Sequence, residues 1–218
     1  MHDRSFIGSH LCEKLMFETS HTVIGVDVYN DKIFSLHLLE PVEKENCTWF
    51  GRIQFHRMNI KHDSRLEALI KMSDLAINLA AICTLADYNT RLLNTIYSNF
   101  IDALPVMKYC GEYSKRLIHF STCEVYGKTT IGSFNSSQRS SIPSKEETPY
   151  IFGSIQKQRW SYACAKQLIE KIGLRLQKLV DGGESQRTFI YIKDAVEAMT
   201  LMIENPDRAN GHIFNVDA

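Results

Sequence analysis

Three observations predict an α/β chain built on a doubly wound parallel sheet. Apolar runs rich in β-branched residues alternate with longer stretches of helical period, the pattern of parallel strands joined by crossover helices. Hydroxyl and carboxyl side chains follow directly on those runs, at the strand C-terminal ends where open α/β sheets place their chemistry. The composition is that of an ordinary globular chain: 218 residues, 44% of them hydrophobic, with 25 Lys+Arg against 25 Asp+Glu. Zero net charge leaves no basic footprint for general binding to nucleic acid or to a membrane surface, and neither partner is expected.

The start of the chain, MHDRSFIGSH, has no apolar core of the signal-peptide kind, and no stretch reaches the roughly 20 apolar residues of a membrane span. A cytoplasmic location is expected. The six cysteines form no CxxC pair, so neither disulfides nor a metal site is expected. Cys12, Cys47, Cys110 and Cys164 read as free, mostly buried thiols.

In chain order, strands are predicted over His21–Tyr29, Ile53–Met58, Leu75–Ala81 and Arg116–Thr122. Ser64–Met72 begins at an Asp/Ser cap and repeats Leu66, Leu69 and Ile70 on one face, so a short amphipathic helix is expected there. Asn94–Tyr113 reads as a longer helix, kinked at Pro105, with Ile96, Phe100, Ile101 and Leu104 packed on the sheet. The Ser/Thr-rich tract Thr129–Ser144 has no periodicity and reads as a surface loop, and Ser154–Ile172 returns to helix. After an Asp181-Gly182-Gly183 turn, a strand over Thr188–Ile192 and a helix over Asp194–Glu204, stopped by Asn205-Pro206, are expected.

Tyr162 and Lys166 stand four apart on one predicted helix and therefore face the same way. An ammonium there lowers the cost of ionising a phenol whose ordinary pKa is about 10, so the tyrosine can act as a base near neutrality. Such a pair also arises by chance, and its surroundings discriminate. Ser121-Thr122-Cys123-Glu124 follows at once on the apolar strand ending Leu117-Ile118-His119-Phe120, delivering hydroxyl and carboxyl groups to a strand tip. At the other end of the chain, Phe6-Ile7-Gly8 matches the last third of a dinucleotide-binding glycine fingerprint. Asp27 ends the next predicted strand about 20 residues later, the spacing at which an acid holds an adenosine ribose hydroxyl.

Through these motifs and others (FIGSHLCEKL, NLAAICT, KRLIHFSTCEVYGK, IFGSIQKQRWSYACAKQLIE, LVDGGESQRTFIYIKDA), which cover most of the chain, the sequence resembles the extended short-chain dehydrogenase/reductases. Within that NAD-dependent epimerase/dehydratase group it is most similar to the UDP-apiose/UDP-xylose synthase family. The resemblance implies a Rossmann-like fold, with a partial NAD-binding domain over 1–178 and a remnant of the substrate-binding region over 179–218. It implies catalytic Thr122, Tyr162 and Lys166, and proton handling by Cys83, Cys123 and Glu124. Phe6, Ile7, Gly8, Asp27, Asn59, Ile60, Leu79, Ala80, Ala81 and Asn99, together with Tyr162 and Lys166, are implied near NAD. Tyr88, Arg159 and Arg187 are implied near UDP-glucuronic acid.

The implied reaction is C4 oxidation, decarboxylation, ring contraction and re-reduction, giving UDP-apiose and UDP-xylose, in an enzyme that pairs as a homodimer. Plain UDP-glucuronate decarboxylases and sugar-nucleotide epimerases are alternatives, which Cys83 and Cys123 disfavour. The sequence also departs from the family pattern. The first strand and its glycines have no counterpart ahead of Gly8, and Lys171–Lys178 stands where a strand and a Pro-containing loop are expected. Because strand 1 is central in the order 3-2-1-4-5-6, its two neighbours would be left roughly 9 to 10 Å apart, too far to pair. A further alternative is therefore a truncated or mis-spliced copy with weak NAD binding, which pairs with a full-length chain.

Overall fold

The computed structural model of the chain describes residues 6–28, 48–83, 87, 90–126, 160–176, 191–214 and 216. Among them are four strands, β1 (Val23–Asp27), β2 (Ile53–Arg57), β3 (Leu75–Asn78) and β4 (Arg116–His119). The helices are α1 (Phe6–Glu18), α2 (Arg65–Met72), α3 (Leu92–Asn99), α4 (Leu104–Glu112), α5 (Trp160–Leu176), α6 (Ile192–Glu204) and α7 (Pro206–Ala209). Each strand falls inside its predicted run but stops short of the predicted C-terminal end. At the end of β3 a side chain takes over from the ladder, Asn78 Oδ1 accepting from the Ala80 N–H at 3.1 Å, and three residues beyond β4 Thr122 Oγ1 accepts from the Glu124 N–H at 3.3 Å.

β1 pairs with β2 and β3 with β4, both in parallel, and among the described residues the two ladders are not joined to each other. Helices nevertheless cover both faces of both ladders, because successive strand residues point to opposite sides. Val23, Ile53, Phe55 and Ile77 pack on one side against Leu11, Leu15 and Met16 of α1 and Val196 and Met199 of α6. Val26, Ala76 and Leu117 pack on the other against Leu66 and Ile70 of α2 and Val106 and Cys110 of α4. A third cluster, Ala103, Met107 and Ile169, seats α5 on α4.

Arginines fix the helix ends to the strands. Arg52, just ahead of β2, donates to the carbonyls of Met16 and Thr19 at the C-terminus of α1 (2.6 and 2.8 Å) and to that of His21 before β1 (3.0 Å). Arg116, opening β4, donates to Met202 O at 3.0 Å near the end of α6. These charged donors satisfy carbonyls that a helix C-terminus leaves unpaired.

Four expectations need correction. The predicted helix Asn94–Tyr113 is broken at Phe100 (φ −128°, ψ −68°) into α3, a 3-10 turn at Ile101–Ala103 and α4. Pro105 sits in the first turn of α4, where its missing N–H costs nothing. The buried residues Thr95, Asn99, Ala103, Val106, Met107 and Cys110 keep one helical face through the break, beside the predicted stripe, and Ile101 is exposed. At α2 only the Asp63 half of the expected Asp/Ser cap holds: its carboxylate accepts the Arg65 N–H (3.0 Å), while Ser64 makes no side-chain cap bond. Ile192, expected to end a strand, opens α6, and residues 188–190 of that strand lie outside the described residues. The end at Asn205-Pro206 holds, but Pro206 starts α7 instead of a loop. The Thr129–Ser144 loop also lies outside the described residues, and α5 runs on to Leu176.

α4 closes with Ser114 at φ 52°, and the Lys115 N–H reaches back to Cys110 O at 2.8 Å. This is the left-handed closure that favours glycine. Ser114→Gly is therefore expected to stabilise the chain by about 0.5 to 1 kcal/mol, read as a higher urea midpoint with an unchanged slope.

Candidate active site

α5 carries Tyr162 and Lys166 on its inward side, where they are 6% and 1% exposed. Lys166 Nζ donates to Phe120 O at 2.7 Å, which locks this helix face to the chain immediately beyond β4. One turn earlier on α5 lies Tyr162, and the 3-10 turn Cys123–Tyr126 packs against the same helix. Thr122 sits between these two contacts. Its Oγ1 accepts the Glu124 N–H and its carbonyl accepts the Val125 N–H at 3.2 Å, so its own hydroxyl proton stays available to another acceptor.

Around Lys166 is a group of ionisable side chains that sequence reading only partly anticipated. Burial pulls the Lys166 ammonium down to about 8, against the opposing pull of Cys83 and Glu170. Burial pushes the Glu170 carboxyl up, opposed by Ser121 and Lys166. His119, in the last pair of the β3–β4 ladder, is held neutral, its pKa lowered to about 3 by burial and then by the Lys166 charge. Glu170 and His119 were missed in the sequence. The signals were there: Glu170 continues the four-residue spacing of Tyr162 and Lys166, and His119 is a polar residue ending an apolar strand.

His119 has a consequence for pH. The unfolded chain takes up a proton on this imidazole below about 6.5, whereas the folded chain resists until about 3. The unfolded state therefore binds more protons in that window, and this group's contribution to stability is lost as pH falls through it, by up to about 1.4 kcal/mol per pH unit. Urea titrations at pH 7 and pH 5 should show a larger drop for the wild type than for His119→Asn; equal drops would refute it.

The second ladder supplies a different set. Asp27 ends β1, and its carboxylate accepts the Val28 N–H at 2.5 Å. Beyond β2, exposed Asn59 closes a turn through Lys61 (3.0 Å), and Ile60 packs beside Val26. After β3, Leu79 is half-buried, while Ala80, Ala81 and Cys83 are exposed. Gly8 of α1 lies against this turn, where a Cβ would meet Leu79 Cδ1 at 3.4 Å, an ordinary contact. Ile7 packs in the core and Phe6 is exposed. Asn99 is fully buried and supports the same turn from behind, donating to Ile82 O at 2.8 Å. Tyr88, Arg159, Arg187 and the side chain of Cys123 lie outside the described residues.

The expectation of free, mostly buried thiols can be read at three positions. Cys12 and Cys110 are buried and Cys164 half-buried, all unbridged, and burial raises the first two to about 12 and about 11. Cys47 lies outside the described residues. Among the described residues no helix is long and apolar enough to cross a membrane.

The profile of the NAD dependent epimerase/dehydratase family matches residues 4–179 and again residues 169–217. The chain belongs to that family. It is 59% and 58% identical to UDP-D-apiose/UDP-D-xylose synthases 2 and 1 of Arabidopsis thaliana, over 97% of this chain and 67% of each of theirs. Identity to the Oryza sativa synthase is 56%, over 97% of this chain and 66% of that one. The chain thus spans about two thirds of the length of these relatives. The first alignment runs over 268 positions against 218 residues here, a difference of 50, so the relatives carry at least that many residues within the aligned region that have no counterpart in this chain.

Solved structures give the same fold. PbgP3 from Burkholderia pseudomallei superposes with a TM-score of 0.77 at 24% identity, covering 98% of this chain and 72% of that one. UDP-glucuronic acid 4-epimerase from Bacillus cereus, in complex with UDP-glucuronic acid and NAD, superposes at 0.69 with 20% identity, covering 98% and 75%.

Proposed function

We propose that this member of the family carries out NAD-dependent conversion of a nucleotide sugar, with UDP-glucuronic acid as substrate and UDP-apiose and UDP-xylose as products. The observation that carries this reading is the locking of Lys166, with Tyr162 one turn away, onto the strand tip that bears Thr122. The identity of 56% to 59% with the plant synthases supports the choice of substrate.

The donor set suits a dinucleotide. Asp27 at the tip of β1 would hold the adenosine ribose, and Asn59 and Ile60 lie at the tip of the neighbouring strand. The small, exposed Ala80 and Ala81 offer a flat turn after β3, backed by Leu79 and supported by Asn99, with Gly8, Ile7 and Phe6 at the start of α1. Tyr162 and Lys166 would hold the nicotinamide ribose. When bound, NAD supplies the two-electron acceptor that takes hydride from C4 and returns it at the end.

The remaining roles belong to side chains. Tyr162 takes the C4 hydroxyl proton, and the buried Lys166 ammonium stabilises its phenolate. Thr122 donates its remaining O–H to the carbonyl forming at C4. Loss of CO2 from the resulting β-keto acid needs only positioning, since the ketone delocalises the carbanion. Glu124, Cys83 and Cys123 move protons while the C2–C3 bond breaks and the smaller ring closes. Cys83 is exposed and unbridged and lies near enough to act electrostatically on Lys166, which supports its place beside this site. Tyr88, Arg159 and Arg187 would hold the UDP-sugar, the arginines through their forked donors.

A second reading, an impaired copy that pairs with a full-length synthase, is favoured by the residues that the relatives carry within the aligned region and this chain does not. Exposed Leu93, Tyr97 and Ile101 beside Leu168 of α5 would form the pairing face, as in a homodimer. Calorimetric titration with NAD+, followed by incubation with UDP-glucuronic acid, separates the two. Micromolar binding with release of CO2 and UDP-pentoses supports the first. Co-purification with a full-length synthase without turnover supports the second.

A further inference from the structure

The β3–β4 ladder ends in a cross-strand pair of polar side chains, Asn78 and His119, which lie on one face because they are register partners. Asn78 is 6% exposed. Its Oδ1 accepts from the Ala80 N–H at 3.1 Å, which fixes the amide orientation, so Nδ2 donates to His119 Nδ1 at 3.3 Å. The Asn78 carbonyl accepts from the Phe120 N–H at 3.2 Å, and the Phe120 carbonyl in turn accepts from Lys166 at 2.7 Å. A continuous polar connection therefore runs from the turn at Leu79–Ala81, through Asn78, to the residue two before Thr122 and to Lys166.

We propose that Asn78 and His119 are positioning residues that set the spacing between the Leu79–Ala81 turn and the Thr122/Lys166 tip. This inference rests on the reading of those two tips as the cofactor-facing walls. Neither residue touches the reacting atoms; each acts through the backbone it holds. Because the Asn78 amide presents N–H to the ring, His119 must accept at Nδ1 and carry its proton on Nε2. Among the described residues, the charge that bears on this imidazole is the Lys166 cation, which together with burial disfavours a second proton and keeps the acceptor intact. An asparagine at 119 can place its amide oxygen close to where Nδ1 lies, whereas a leucine of similar bulk cannot accept at all.

The test has a ligand-free arm and a kinetic arm. Imidazole 15N NMR of the wild type should show His119 as the neutral Nε2–H tautomer from pH 8 to pH 5, with the Ala80 amide protected from exchange. A ring protonated by pH 5, or an unprotected Ala80 amide, overturns the proposal whatever the chain binds. In the kinetic arm, variants are assayed well below their melting temperatures. His119→Leu should weaken NAD+ binding and lower kcat by about tenfold each with KM for the sugar nucleotide little changed, and His119→Asn should restore most of both. A folded His119→Leu chain with wild-type NAD+ affinity and kcat, or an Asn variant as impaired as the Leu variant, overturns it. Absence of NAD+ binding by the wild type would instead sink the functional reading above, and the NMR arm still decides whether the polar connection exists.

Discussion

Tyr162→Phe is expected to lower turnover of UDP-glucuronic acid by about a hundred- to ten-thousand-fold, the usual weight of one general acid–base group. The change removes one oxygen from a side chain that is 6% exposed, so packing on α5 survives and the melting temperature should move little. NAD+ affinity should change by no more than a few-fold, because the phenol contributes one hydrogen bond among many. CO2 release followed side by side for the two proteins decides the matter. A Phe variant retaining a tenth of the wild-type rate would remove Tyr162 from the chemistry.

Lys166→Met should also separate activity from stability. Lys166 is 1% exposed, and its Nζ donates to one carbonyl, Phe120 O. Replacing the buried ammonium by an apolar chain of similar length removes its desolvation cost together with its bond to Phe120 O and its attraction to Glu170, so stability at pH 7 should change little. The same change leaves Tyr162 without a cation to favour its phenolate, and turnover should fall at least about a hundredfold. The pH signature follows from the sign of the shift. The unfolded chain keeps this lysine proton up to about 10.5, whereas the folded chain releases it from about 8. Between those values the unfolded state binds more protons, so wild-type stability gains from this group as pH rises. The Met variant should lack that gain. A variant that melts several degrees lower at pH 7 would show that Lys166 acts as a structural tie, not as a destabilised functional group.

Much of the scaffold was legible because its causes are local. The β-branched runs at Val23, Ile53, Leu75 and Arg116 each gave a strand, since a pleated, half-buried strand needs that alternation whatever surrounds it. The ends of elements were less legible. Asn78 ends its strand by bonding the backbone two residues on, a competition that depends on rotamer as well as residue type. Pro105 was read as a kink inside one helix, but the chain breaks five residues earlier at Phe100 and uses the proline to start afresh.

The candidate site divides along the same line. The sequence by itself determined that Tyr162 and Lys166 share a helix face and that Thr122 and Glu124 follow a strand, because helical and strand periods are properties of the backbone. Only the tertiary structure decided that Lys166 reaches Phe120, that His119 is buried and neutral against Asn78, that Glu170 joins the same cluster, and that the strands form two separate ladders. Each of these depends on desolvation or on a hydrogen bond between residues distant in the chain, and neither quantity exists until packing brings the partners together.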